Sequence, residues 1–222
     1  MAKGAYHVLL GARSASKGQT AVQELQSRNL PGTVELLPID VTDDSTINAA
    51  AKSVQVNHGH LDILVNNAAV VALDPPLRQQ MRDAFDTNAT GPAVVVEAFA
   101  PLLKASTSPL KRIINVSSGA GSITARLDPQ GAMYNDQNVQ YRASKAALSM
   151  VTACQWVEYG SLGIKVFAYC PGFTASNLSY RNTVENGARK VEDSVRPLVD
   201  VLEGRRDEDA GKFLNKDGVY PW

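Results

Sequence analysis

The chain has two cysteines, three histidines and two tryptophans in 222 residues, and its 22 basic side chains are balanced by 22 acidic ones. Each scarcity excludes something. Cys154 and Cys170 are too few for a disulfide framework or a thiolate cluster, and the histidines have no ligand spacing, so no metal site is expected. Both cysteines read as buried packing residues. Balanced charge supplies no field that would hold nucleic acid or an anionic membrane. The longest apolar run falls far short of a membrane span, and the first residues lack the apolar segment of a signal peptide. These absences predict a cytoplasmic protein that acts on a small molecule.

What is present is alternation. Val8–Leu10, Val34–Leu37, Leu61–Val65, Ile113–Val116, Ile164–Ala168 and a short Lys212–Leu214 read as strands. Between them lie helical patterns: Ile47, Ala50, Ala51 and Val54 recur at i, i+3, i+4 and i+7, while Val22 with Leu25 and Val95 with Phe99 mark other helix faces. Asp43 to Ser45 supply a cap before one helix and Gly59 a C′ residue after it. The β-α-β order predicts a single α/β domain over residues 1–222, a doubly wound, mostly parallel sheet. Two polar connections, Ser118–Gln140 and Phe173–Gly187, are long enough to be functional, and both follow strands at the end of an open sheet where ligands bind.

Tyr141 and Lys145 stand four residues apart in a helical pattern, so a phenol and an ammonium share one face. A tyrosine beside a cation is expected to ionise below its usual range and so to pass protons. Alone, such a pair is common on solvated helix faces. Arg13, at the end of the first strand, occupies a place where an NAD-preferring sheet would put an acidic residue. Its guanidinium, with Lys17 one turn on, suits a 2′-phosphate, although a solvated arginine at a strand end is the other reading.

Together these motifs resemble the short-chain dehydrogenase/reductase family, and most closely its monomeric carbonyl-reductase-like members. The resemblance rests on Asp40-Val41, Asn66-Asn67-Ala68-Ala69, Asn88-Ala89-Thr90-Gly91, Asn115-Val116-Ser117-Ser118, Tyr141 with Lys145, and Pro171-Gly172-Phe173-Thr174, in that order, with Gly211–Leu214 and Pro221-Trp222 at the end. It implies a Rossmann-like fold and NADP as cofactor, held by Arg13, Asp40, Val41, Asn67, Tyr141, Lys145, Pro171 and Thr174. It also implies a catalytic set of Asn88, Ser118, Tyr141 and Lys145. In that set Lys145 lowers the pKa of Tyr141, Tyr141 protonates a carbonyl, Ser118 bonds its oxygen and Asn88 supports a proton relay. Ala69 replaces the family's glycine, a change that a turn with positive φ would resist. Tyr134 is a decoy, since Asn138 stands where its lysine would be.

One family feature is missing. Members begin with a strand, a glycine-rich turn and a helix, whereas Ala2 to Gly11 reads as the end of that helix running into the second strand, with roughly 20 to 30 residues absent before it. The missing turn is the pyrophosphate cradle, so cofactor binding is expected to be weakened. The missing strand is a central one, so its two neighbours close up and pair directly, a second chain donates a strand, or the natural protein has residues that this sequence lacks. Three functions compete: an NADP-dependent carbonyl reductase or alcohol dehydrogenase acting on a bulky or cyclic compound; a cofactor-independent isomerase, cyclase or dehydratase; and a non-catalytic remnant. The chain is expected to be a monomer or to associate through exposed strands.

Overall fold

The computed structural model describes residues 6–131, 133–135 and 137–222; the helix end expected at Ala2–Ala5 lies outside them. The alternation becomes β1 (His7–Ala12), α1 (Ala15–Ser27), β2 (Thr33–Pro38), α2 (Asp44–Asn57), β3 (Ile63–Asn66), α3 (Leu77–Phe85), α4 (Gly91–Ala105), β4 (Arg112–Val116), α5 (Ile123–Arg126), α6 (Val139–Tyr159), β5 (Lys165–Tyr169), α7 (Val191–Leu202), β6 (Phe213–Asn215) and β7 (Gly218–Val219). All six expected strands form. The sequence reading passed over α3, which buries only Ala84 of its nine residues, and the two-residue β7.

Strands β3, β4, β5 and β6 pair in parallel, and β7 closes that sheet antiparallel to β6. All five residues of β4 are buried, as a central strand covered on both faces requires. Alternate residues serve opposite layers. Ile113 and Val166 pack against Val96, Ala100 and Leu103 of α4 and Tyr159 of α6, whereas Ile114, Phe167 and Tyr169 pack against Val201 of α7. The caps also form: Asp43 accepts from the backbone N–H of Ser45, and Gly59, with φ of 77°, follows the end of α2.

Strands β1 and β2 form a separate parallel pair. Their link to the rest is a layer in which Ile47, Ala50 and Val54 of α2 meet Val95, Phe99 and Leu102 of α4, with Leu9, Leu37 and Leu64 packed against it. Strands β1 and β3 do not pair with each other, so direct closure, one of the expected outcomes, does not occur. A cavity of about 710 Å³ separates them, lined by Leu9, Leu10, Ile39, Leu64, Val65 and Phe99 among others. The sheet edges of β1 and β3 face this cleft, and Val8 and Val65 are 45% and 38% exposed. Each edge group that stays buried without a partner costs about 1–3 kcal/mol.

Between α3 and α4 the helix widens into a π-turn over Asp86–Thr90. Pro92 gives a physical reason. A proline inside a helix has no N–H to donate and its ring collides with the carbonyl four residues earlier, here that of Asn88, and a wider turn relieves both.

Candidate active site

The centre of the site is built on α6 and the carboxyl end of β4. Lys145 is 2% exposed, and its ammonium donates to the carbonyl oxygen of Val116, the last residue of β4, at 2.8 Å. The ammonium lies 5.9 Å from the centroid of the Tyr141 ring. Burial pulls the lysine down to about 8 from its usual 10.5, and the nearby Cys170 opposes that change.

Tyr141 departs from expectation. Burial raises its pKa above the usual tyrosine value, with a smaller lowering from a hydrogen bond to Ser118. The expected lowering does not prevail, because the dominant influence on the phenol is loss of water.

Ser118 follows β4 with extended backbone and caps a short 3₁₀ turn over Gly119–Gly121, accepting from the N–H of Ala120 at 3.2 Å. The turn lies against α6 because Gly121 has no side chain: a Cβ there would stand 2.7 Å from the carbonyl carbon of Lys145. Ser117, by contrast, points to the Lys145 carbonyl at 3.4 Å and is buried. Arg142, next to the tyrosine, fastens the long connection to α6 by donating to the carbonyls of Ala120, Met133 and Gln137 at 3.3, 2.7 and 2.9 Å. Arg126 and Asp128, two of its polar residues, serve the loop itself: Arg126 donates to the carbonyls of Met133 and Tyr134, and Asp128 accepts from the N–H of Gln130. The decoy Tyr134 is 40% exposed. The carboxyl-terminal segment closes over this turn, the Trp222 carbonyl accepting from the Ser122 hydroxyl and the Thr124 N–H at 3.2 and 3.1 Å.

Asn88 is fully buried in the π-turn. Its amide donates to the Val70 carbonyl and to the Ser144 hydroxyl, its oxygen accepts from the Val70 N–H, all at 2.9 Å, and Ser144 in turn donates to the Tyr141 carbonyl at 2.8 Å. Both amide hydrogens are therefore committed to the scaffold. A second buried network escaped sequence reading: Asn66 of β3 donates to Asn115 of β4, which donates to Thr152 and Gln155 of α6 at 2.9 and 2.7 Å. These side chains lock the helix that carries Tyr141 to two strands. Their signal in the sequence is a polar residue in the middle of an apolar strand.

The cofactor candidates fall into two groups. Arg13, Asp40, Val41 and Asn67 line the cleft between β1 and β3. Arg13 is exposed and, among the described residues, its guanidinium makes no hydrogen bond or ion pair. The Asp40 carboxylate accepts from the N–H and hydroxyl of Thr42 at 3.0 and 2.8 Å. Gly91 lets α4 approach this corner, since a Cβ there would lie 2.7 Å from the Val41 carbonyl. Ala69 has no positive φ, so the alanine in place of glycine is unstrained. Pro171 and Thr174 form the other group, beyond β5: Thr174 donates to Ser194 at 2.8 Å and Arg189 to the Pro171 carbonyl at 2.6 Å. Cys170 lies between this segment and the Ser118 turn, accepting from the N–H of Gly119 at 3.1 Å. It is buried as expected, but Cys154 is exposed on the outer face of α6.

Comparison with known proteins agrees with this layout. The short chain dehydrogenase family model matches residues 1–186. Over 98% of its length the chain is 35% identical to the short-chain dehydrogenase/reductase tropE of Talaromyces stipitatus, covering 88% of that protein. It is 35% identical to the short-chain dehydrogenase anuI of Penicillium roqueforti over 97% of its length and 86% of the relative's. Among solved structures it superposes on the NADPH-bound carbonyl reductase from chicken fatty liver with a TM-score of 0.78 and 32% identity, over 96% of this chain and 86% of that one. No helix among the described residues is long and apolar enough to cross a membrane. Sharing about a third of its residues and the fold of these proteins over nearly its whole length, the chain belongs to the short-chain dehydrogenase/reductase family, near the carbonyl reductases.

Proposed function

We propose that this oxidoreductase reduces the carbonyl of a small, bulky or cyclic compound, or oxidises the matching alcohol, using NADP(H). The observation that carries the reading is the convergence of Ser118, Tyr141 and Lys145 where β4 meets α6. When bound, the nicotinamide would supply or take the hydride. Tyr141 gives its phenolic proton to the carbonyl oxygen as negative charge develops there, and Ser118 donates a hydrogen bond to the same oxygen. A phenol that keeps its proton at neutral pH is suited to the reductive direction, in which the side chain must be an acid. Lys145, titrating near neutrality, is poised to hold or return a proton beside it. Asn88 acts as a positioning residue, holding the Val70 segment and α6 together through Ser144.

The residues of the cleft rim fit an NADP-type cofactor. Arg13 has a free guanidinium for a 2′-phosphate, and Asp40, Val41 and Asn67 share its cavity. Consumption of NADPH with a panel of cyclic and aromatic ketones tests the reading, together with isothermal titration of NADPH. Turnover lost in Tyr141→Phe is the expected result; absence of NADPH binding at millimolar concentration would overturn it. A second reading draws on the open cleft: the proton-transfer group is complete on α6 and β4, apart from the cofactor side, so it could serve an isomerase, cyclase or dehydratase. Turnover that persists without nicotinamide would select that reading, and strict dependence on NADPH would exclude it.

A further inference from the structure

We infer that His7, Glu35 and His58 form a binding site for zinc(II) or a similar borderline divalent cation. The three residues come from different elements: His7 opens β1, Glu35 lies in β2, and His58 caps the carboxyl end of α2. Pairing of His7 with Thr33 and of Leu9 with Glu35 puts His7, Leu9, Thr33, Glu35 and Leu37 on one face of the two-stranded sheet. Leu9 and Leu37 on that face pack against α2. The histidines and the glutamate form the polar end of the same contact.

The geometry is convergent. Nε2 of His7 and Nε2 of His58 approach the same carboxylate oxygen, Oε1 of Glu35, at 3.2 and 3.0 Å, and the three atoms lie within 4.8 Å of one another. In a tetrahedral zinc site with bonds of about 2.0–2.1 Å, neighbouring ligand atoms are about 3.3 Å apart. The two nitrogen–oxygen separations are already close to that size. Nδ1 of His7 is held by the Thr33 hydroxyl at 2.5 Å, the outer hydrogen bond that fixes the ring of a metal-ligating histidine. The side chains are 46%, 49% and 26% exposed, so an ion has an entry path and water can complete its coordination. Two imidazoles and a carboxylate suit zinc, with copper and nickel as chemical competitors. His60 points elsewhere, toward Asp62.

The inference is independent of the proposed reaction. The ion would tie β1, β2 and α2 together, the part of the molecule that borders the open cleft. The test is titration of the chelator-stripped full chain with zinc chloride, by competition against a chromogenic chelator and by thermal melting, on a Cys154→Ser background that removes the exposed thiol. One ion per chain with a micromolar or tighter Kd is expected, and Tm should rise by about 5–10 °C when free zinc reaches a hundredfold excess over Kd. His7→Ala and His58→Ala should each weaken binding at least tenfold, Thr33→Val about tenfold, and His60→Ala should leave it unchanged. Glu35→Gln, which keeps the shape and removes the charge, guards against a truncation that disturbs the strand pair. A Kd weaker than millimolar, or binding unaffected by His7→Ala, His58→Ala and Glu35→Gln, would overturn the site.

Discussion

Two halves of the molecule solve the problem of buried polar groups in opposite ways. Around β4 and α6 the polar side chains are enclosed and joined: Asn66, Asn115, Thr152 and Gln155 bond across two strands and a helix, Asn88 links Val70 to Ser144, and Lys145 holds the end of β4. Around β1 and β2 the strand edge faces a 710 Å³ cleft, and the polar groups there, Arg13 above all, are open to solvent. A fully satisfied network is rigid and fixes one arrangement of its members. On the function proposed above, proton transfer, which needs that rigidity, falls to the first half, and recognition of the cofactor falls to the more open second half.

The largest expected effect tests whether the enclosed half carries the reaction. Tyr141→Phe removes one hydroxyl and leaves the ring, so the fold should persist with an unchanged denaturation midpoint while turnover falls by about 10²–10⁴-fold. A variant with full activity would mean that the chemistry lies elsewhere. Next comes one substitution made in both halves. Leu148 on α6 is 1% exposed, and Leu148→Ala should cost about 2–5 kcal/mol in denaturant unfolding. Leu10 borders the cleft and is only half-buried, so Leu10→Ala should cost about 1 kcal/mol, since less apolar surface is lost and the space is already open. Equal costs would show that the cleft closes in solution.

The third comparison uses pH. Lys145 titrates at about 8 in the fold against 10.5 as an ordinary lysine, so between those values the unfolded chain binds more protons than the native one. Stability therefore rises with pH across that window, the penalty being complete below about pH 8 and relieved by 10.5. Tyr141, raised by burial, acts in the opposite sense above pH 10, where the unfolded phenol ionises first. Lys145→Met removes the first effect, on the order of 3 kcal/mol at full strength. The gain of the methionine variant over the parent should shrink steadily from pH 8 to pH 10, and a constant difference would place the ammonium in contact with water.

Much of this was legible in the residues because burial writes itself as pattern. Ile113 to Val116 reads as a strand and proves to be one, and Asp43 and Gly59 bound α2 as caps should. The motifs at Ser118, Tyr141 and Lys145 lie at the carboxyl end of β4 and along α6, where the strand and helix periods put them. The reading failed where a single contact decides the outcome. The phenol is expected to be acidified by its neighbour, but the outcome depends on how much water the fold leaves around it, and burial raises it instead. Cys154 lies exposed on α6 whereas Cys170 is buried just beyond the end of β5, a difference that the residue type alone does not reveal. The histidines show no spacing along the chain because their proximity is made by strand pairing and by the end of a helix. The π-turn leaves no trace in apolar periodicity, and Pro92 was its one available signal.

The last comparison concerns cofactor binding in the open half. Arg13 is exposed, so its contact with a 2′-phosphate is screened, and its loss should be worth about 1.4 kcal/mol, a factor of about ten. Arg13→Ala should raise the KM for NADPH by that factor while leaving kcat and the KM for NADH unchanged, because the guanidinium would contribute only to binding and NADH has no phosphate at that position. Added salt should weaken NADPH binding to the parent and have less effect on the variant. Steady-state kinetics at two ionic strengths reads all of this. Should kcat fall as well, the division between the two halves would be wrong, and the strand pair would be helping to set the geometry at Tyr141.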